Sequence, residues 1–260
     1  MVDVRGTQLE MIDQGKGKTI LFLHPHIGLH GAKPFIDRLA ADWRVLAPSH
    51  PGFGGTGLPK GFTTVDDIAY FYLDLMDQLD LRDVLLVGSS FGAWIAMELA
   101  IKNTQRISQL VLLDPVGAKF GSRETSDVAD IFALPQPKLH ELAFHDVAKA
   151  KRDYASFSDE DLAIIARNRQ SSALYAWNPY MHNPKLAQRL HRIRVPSLVL
   201  CGASDRMMAP GWGLRYAQAI PGSGTTAYQE IPAAGHFPHI EQPQALATLL
   251  LEFAGQPIAA

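Results

Sequence analysis

The sequence predicts a three-layer α/β domain, with a sheet of parallel strands covered by helices on both faces. Three features carry that expectation: unbroken apolar runs of strand length, helix start signals between them, and a composition that is globular throughout. Runs such as Thr19-Ile-Leu-Phe-Leu23 suit strands buried on both faces, because nothing in them alternates with polar residues. Parallel neighbours then require crossover connections, and right-handed crossovers place helices above and below the sheet.

The first twenty residues alternate polar and apolar around Gly6 and Gly15-Lys-Gly17, as short hairpin strands do. Buried-strand runs follow at Thr19–Leu23, Arg44–Ala47, Asp83–Val87, Leu110–Leu113 and Pro196–Cys201, with stops at Gly, Pro or Asp close behind them. Thr64-Val-Asp-Asp67 is a capping box opening a helix that puts Val65, Ile68, Tyr72, Leu75, Met76 and Leu79 on one face. Ala93–Ala100 is a second helix former, and a final helix begins near Gln242-Pro243. From about 118 to 181 no buried-strand run occurs, and the segment reads as a helical insertion broken at Pro135 and Pro137. Within it, Ser158-Asp-Glu-Asp161 is another capping box, leading into Leu162–Asn168. Asn183-Pro184 is expected to start a helix through Ile193. The division expected is therefore a core of 1–117 and 182–260 with an inserted helical cap at 118–181.

Charge and cysteine content exclude several function classes. The 24 Lys and Arg against 26 Asp and Glu leave a net charge of −2, too little positive charge to neutralise a nucleic acid backbone or an anionic membrane. The longest apolar stretches, Val195–Cys201 and Leu246–Leu251, are far short of the ~20 residues that cross a bilayer. Cys201 is the sole cysteine and offers neither a disulfide nor a thiolate cluster; with no secretory signal at the N-terminus, the expected location is cytoplasmic.

The motif that carries chemistry is Gly88-Ser-Ser-Phe-Gly92, a G-x-S-x-G between the strand ending at Val87 and the helix former beginning at Ala93. A serine on a tight strand-to-helix turn needs small flanking residues, which Gly88 and Gly92 supply, and Ser90 is expected to be held exposed at the sheet edge. The helix behind it aims N–H groups and a partial positive charge at the place where an oxyanion forms, Phe91 N–H among them. Ser89 is adjacent but occupies the wrong place in the motif.

Together with His24, Pro51-Gly-Phe-Gly54, Gly202-Ala-Ser-Asp205 and Gly235-His236, this motif resembles the α/β-hydrolase superfamily over nearly the whole chain. The landmarks stand in its order, nucleophile, acid, then histidine. The resemblance implies a mostly parallel eight-stranded sheet, a helical cap after the sixth strand, and a Ser–His–Asp triad that needs no cofactor.

A serine hydroxyl needs a base, and histidine suits that task near neutral pH. Of ten histidines, His236 follows Gly235 in a turn before the last helix, whereas His140, His145, His182 and His191 lie in or beside the insertion. His239 is the nearby competitor. Asp205, at the carboxyl end of the Pro196–Cys201 strand, is the expected acid, with Asp114 after Leu113 as the alternative. A second oxyanion donor comes from the loop after Leu23. Relatives usually read His-Gly there, but this chain reads His24-Pro25, so the donor shifts to His26, with Ile27 second. His24, His26 and His30 cluster without a carboxylate or thiolate, and no metal site is expected there. Ser49 stands where relatives often carry Asp, His50 is read as shaping the site entrance, and Cys201 as a small apolar filler.

The expected function is hydrolysis of a small carboxylic ester or lactone through an acyl-enzyme on Ser90. A serine rather than a carboxylate nucleophile disfavours epoxide or haloalkane chemistry. Aromatic residues of the insertion, including Phe120, Phe132, Phe144, Tyr154, Tyr175 and Trp177, suit an apolar or aromatic acyl group on a small-molecule substrate. One alternative is carbon–carbon bond hydrolysis of a ring-cleavage dienoate, although relatives of that kind carry Trp where Phe237 stands. Another, of a different class, is a ligand-binding receptor on the same fold.

Overall fold

The computed structural model describes residues 1–103, 105–122, 124–221 and 226–255. Strands and helices alternate. The strands are β1 (Val2–Val4), β2 (Thr7–Leu9), β3 (Met11–Gln14), β4 (Thr19–Leu23), β5 (Arg44–Pro48), β6 (Val84–Ser89), β7 (Ile107–Leu113), β8 (Gly117–Ala118), β9 (His182–Asn183), β10 (Ser197–Gly202) and β11 (Thr226–Ile231). The α-helices are α1 (Lys33–Ala40), α2 (Val65–Gln78), α3 (Phe91–Lys102), α4 (Gln136–Ala143), α5 (Asp159–Ala176), α6 (Trp212–Ala219), α7 (Pro238–Glu241) and α8 (Pro243–Ala254).

Seven strands form the main sheet in the order β11-β10-β7-β6-β4-β5-β3. All neighbours are parallel except β3, which runs antiparallel to β5. The implied eight-stranded sheet is thus corrected to seven among the described residues. The first two strands, β1 and β2, pair with each other in a separate hairpin and not with the main sheet.

The apolar runs are continuous because alternate residues serve two different cores. Ile20, Phe22, Val45, Ala47, Leu85, Val87, Val111 and Leu113 pack with Phe35 and Leu39 of α1 and Leu246, Leu250 and Phe253 of α8. Their neighbours Leu21, Leu23, Leu46, Leu86, Leu110 and Leu112 pack on the opposite face with Ile68, Tyr72 and Leu75 of α2 and Ile95 and Leu99 of α3. A strand covered on both faces has no position where a polar residue is free of cost.

Both capping boxes form. Thr64 Oγ1 accepts from Asp67 N–H while Asp67 Oδ2 accepts from Thr64 N–H, and Ser158 and Asp161 do the same at α5. The segment from Asn183 to Ile193 is corrected: it is a turn followed by a 3₁₀ helix at Ala187–Arg192, not an α-helix. Its bonds run from residue i+3 to residue i, as in Leu186 N–H to Asn183 O, while the Asn183 side chain accepts from Lys185 N–H through Oδ1 and donates to Glu98 Oε1 through Nδ2. Between β8 and β9, which pair in parallel, the chain contains α4, α5 and two short 3₁₀ turns, Val147–Ala150 and Tyr154–Ser156.

Candidate active site

Ser90 is the residue between β6 and α3, and it adopts φ 52° and ψ −112°, a conformation that non-glycine residues rarely take. The strain is held in place by packing. A Cβ on Gly92 would collide with the carbonyl oxygens of Leu23 and His24, and one on Gly88 with the backbone of Gly92 and Ala93. The motif's two glycines are therefore demanded by the closeness of β4 and α3 to the turn. Ser90 N–H donates to Leu113 O at 2.8 Å, which ties the turn to the end of β7, while Ala93 N–H donates to Ser90 O at 2.9 Å.

Three sequence-predicted residues converge at that turn. His236 Nε2 lies 2.8 Å from Ser90 Oγ, and its Nδ1 lies 2.8 Å from Asp205 Oδ2. An ionised carboxylate can only accept, so Nδ1 carries the proton and Nε2 is left free to accept from the serine hydroxyl. Asp205 Oδ1 accepts from Met207 N–H at 2.8 Å, fixing the carboxylate plane. The exposure expected of Ser90 is corrected: Ser90 and His236 are buried, at 0% and 1% exposure, because the loop after β4, α3 and the His236 ring close over the hydroxyl.

The competitors make no bond to the His236 ring, although Asp114 brings a carboxylate oxygen within 4.8 Å of both Asp205 and His236 and leaves its Oδ2 unpartnered among the described residues. Asp114 is buried at the end of β7, where its Oδ1 accepts from Gly202 N–H at 2.9 Å. Burial and the nearby Asp205 hold its pKa well above the usual carboxylate range. His239 is buried with neither ring nitrogen partnered, and burial first, then His236 and His24, depress it to about 3. The Ser89 hydroxyl is buried and unpartnered as well.

The loop after β4 is shaped by two neutral histidines stacked at 3.6 Å. His24 Nε2 accepts from His50 N–H at 2.9 Å, so its Nδ1 carries the proton donated to Pro25 O at 2.7 Å. His50 Nε2 then donates to His24 O at 2.9 Å and its Nδ1 accepts from Tyr72 OH at 2.5 Å. Burial pushes His24 to about 4 and His50 well below the ordinary histidine value. His50 is corrected accordingly: it lies wholly beneath the loop and not at an entrance. Ser49 Oγ donates to Glu10 Oε2 at 2.6 Å, a pairing that no motif in the chain announces. Phe91 N–H and His26 N–H have no hydrogen-bond acceptor among the described residues.

A cavity of about 150 Å³ lies alongside, lined among others by His26, Ile131, Phe132, Phe144, Arg152 and Phe237. His26 and Phe237, with ring centroids 5.9 Å apart, form its wall next to His236. No Asp or Glu lines it, and half-buried Arg152 makes no ion pair among the described residues. His26 is depressed to about 3, by burial first and then by the His236 and Arg152 charges. Other aromatic residues predicted for the pocket are used in packing: Phe120 lies against Tyr216, and Tyr175 against Phe53.

Sequence reasoning missed the scaffold around the histidine. Ala143 O and Leu142 O, at the end of α4, accept from His236 N–H at 2.7 Å and Arg206 N–H at 3.0 Å. Backbone carbonyls carry no residue signature, so no pattern could have marked them.

Comparison with known proteins agrees with this fold. The profile of the alpha/beta hydrolase family matches residues 20–249. A 2-hydroxymuconate semialdehyde hydrolase of Pseudomonas putida is 28% identical, the match covering 96% of this chain and 92% of that protein. A putative non-heme bromoperoxidase of Mycobacterium tuberculosis is 26% identical, over 93% of this chain and 95% of that one. Among solved structures, a meta-cleavage product hydrolase superposes with a TM-score of 0.76 at 21% identity, covering 98% of this chain and 97% of that one. A bromoperoxidase from Bacillus anthracis gives a TM-score of 0.77 at 18% identity, with 96% of each chain covered. The chain belongs to the alpha/beta hydrolase family.

Proposed function

We propose that the protein is a serine hydrolase of small carboxylic esters or lactones, with Ser90, His236 and Asp205 as its catalytic triad. The observation that carries this reading is the unbroken line of 2.8 Å contacts from Ser90 Oγ through the imidazole to Asp205 Oδ2. Ser90 Oγ attacks the substrate carbonyl as its proton passes to His236 Nε2, and Asp205 stabilises the imidazolium that results. The carbonyl oxygen becomes an oxyanion received by Phe91 N–H and His26 N–H, both unengaged by the protein. His236 returns the proton to the leaving alkoxide. Water then attacks the acyl-enzyme, giving its proton to His236, and Ser90 is regenerated.

The cavity bounded by Ile131, Phe132, Phe144 and Phe237 supports an apolar or aromatic acyl group. Half-buried Cys201, without a disulfide partner, supports a reducing, cytoplasmic setting. A second reading, hydrolysis of a carbon–carbon bond in a ring-cleavage dienoate, is favoured by the Pseudomonas putida relative's stated activity. Purified protein assayed on esters, lactones and dienoates separates the two, and turnover of dienoates alone overturns the first. A binding protein without catalysis would bind such compounds and turn over none of them.

A further inference from the structure

Glu241, at the end of α7, is 2% exposed, and its carboxylate is spent entirely on backbone donors. Oε2 accepts from Gly235 N–H at 2.6 Å and from His145 N–H at 3.2 Å, and Oε1 accepts from Asp146 N–H at 2.9 Å. Its own carbonyl accepts from Lys149 Nζ at 2.7 Å. A buried carboxylate is costly unless fully hydrogen-bonded, and here the three N–H groups come from two distant stretches of chain. One stretch immediately precedes His236. The other immediately follows α4.

The same two stretches are joined directly, because His236 N–H donates to Ala143 O at 2.7 Å. Consecutive N–H groups, those of Gly235 and His236, are therefore both held by the segment from Ala143 to Asp146, one through Glu241 and one without it. The acid loop is attached to the same place: Arg206 N–H donates to Leu142 O, and Ser204 Oγ lies 2.8 Å from His145 Nδ1.

We propose that Glu241 is a positioning residue, locking the His236 backbone to the segment after α4 so that this segment sets the imidazole's place between Ser90 and Asp205. The proposal rests on the hydrolase reading above. Glu241 touches neither substrate nor the reacting atoms; it acts through the peptide that carries the base. Because a misplacement of about 1 Å costs on the order of 100-fold in rate, loosening this peptide lowers kcat without weakening substrate binding.

The test compares Glu241→Gln, Glu241→Asp and wild type on 4-nitrophenyl acetate, with active sites titrated by a fluorophosphonate. Amide hydrogen exchange is followed in residues 142–147 and 233–237. In Glu241→Gln an NH₂ group replaces one acceptor and faces an N–H donor. The expected result is a fall in kcat per titrated site of roughly 10- to 100-fold with KM within about twofold, and faster exchange in both segments together. Glu241→Asp keeps both acceptors on a shorter stem and recovers part of the rate. A kcat per site within twofold of wild type, or faster exchange in only one segment, overturns the proposal. Wild-type protein that takes no label at Ser90 overturns the hydrolase reading instead, while the exchange comparison still decides whether Glu241 joins the two segments.

Discussion

His236 Nδ1 faces Asp205 Oδ2 at 2.8 Å, whereas Asp114, the other carboxylate at this sheet edge, spends its Oδ1 on Gly202 N–H. The proposed triad gives the two acids separate tasks, although both stand within 4.8 Å of His236. Asp205→Asn should lower kcat by orders of magnitude, because an amide that donates to Nδ1 leaves the proton on Nε2, where it blocks acceptance from the Ser90 hydroxyl. Steady-state kinetics on an activated ester check this, and a loss of less than tenfold would remove Asp205 from the mechanism.

Asp114→Asn should leave kcat within about an order of magnitude of wild type and change the pH dependence of stability instead. Burial raises the folded pKa of Asp114 above its unfolded value, so its contribution is favourable in acid and is lost as pH rises above the ordinary carboxylate value. The amide, which never ionises, should therefore raise Tm relative to wild type at pH 8, and the difference should vanish near pH 4. Thermal melts at the two pH values check the sign; a lower Tm for the variant at pH 8 would contradict it.

A second pH effect runs the other way. His24 and His239 are fully buried and depressed to about 4 and about 3, so the unfolded chain takes up protons below pH 6.5 that the folded chain refuses. Each group costs about 1.4 kcal/mol of stability per pH unit between 6.5 and its folded pKa. His239→Leu removes one of these groups, along with two buried nitrogens that have no partner. Its Tm should fall less steeply than that of wild type between pH 6.5 and 5, as measured by calorimetry, and an unchanged slope would show that His239 is hydrated or charged in the fold.

Gly92→Ala tests the packing of the serine turn. The added methyl meets the Leu23 and His24 carbonyl oxygens, at the end of β4, which cannot retreat. Overpacking of this kind costs about 1–3 kcal/mol, and fluorophosphonate labelling of Ser90 should slow markedly even in the fraction that stays folded. Labelling at the wild-type rate would mean that the turn is not confined by β4.

The proposed oxyanion donors are backbone groups, so only proline deletes one. His26→Pro should lower kcat by about 10²–10³, whereas His26→Ala retains the N–H and should change mainly KM, because the ring lines the cavity. Equal losses of kcat in the two variants would remove His26 N–H from the mechanism.

The strand runs, both capping boxes and the serine turn were legible because each reflects a local rule: burial on both faces, reciprocal caps, close backbone approach. β11 was not, since its edge position leaves Ala227, Gln229 and Glu230 exposed and no apolar run marks it. The 3₁₀ form of Ala187–Arg192 was also hidden, because Leu186, Leu190 and Ile193 are buried at a spacing that an α-helix would share. At the site, Ser90, Asp205 and His236 could be read from their turns. The tautomers of His24 and His50 and the burial of Glu241 could not, since they depend on partners 22 or more positions away in one case and on backbone atoms in the other.

The end of α4 supplies two carbonyl oxygens to the loops bearing Asp205 and His236. Chimeras that exchange the helical insertion between homologues will therefore transplant part of the scaffold of the proposed triad along with part of the cavity lining. A graft whose junction falls after residue 147 keeps the Leu142 and Ala143 acceptors but replaces Lys149 and the α5 side chains of Asn168 and Ser172 that hold the Ile27 and His26 carbonyls, while one that begins upstream of 142 must bring matching acceptors as well.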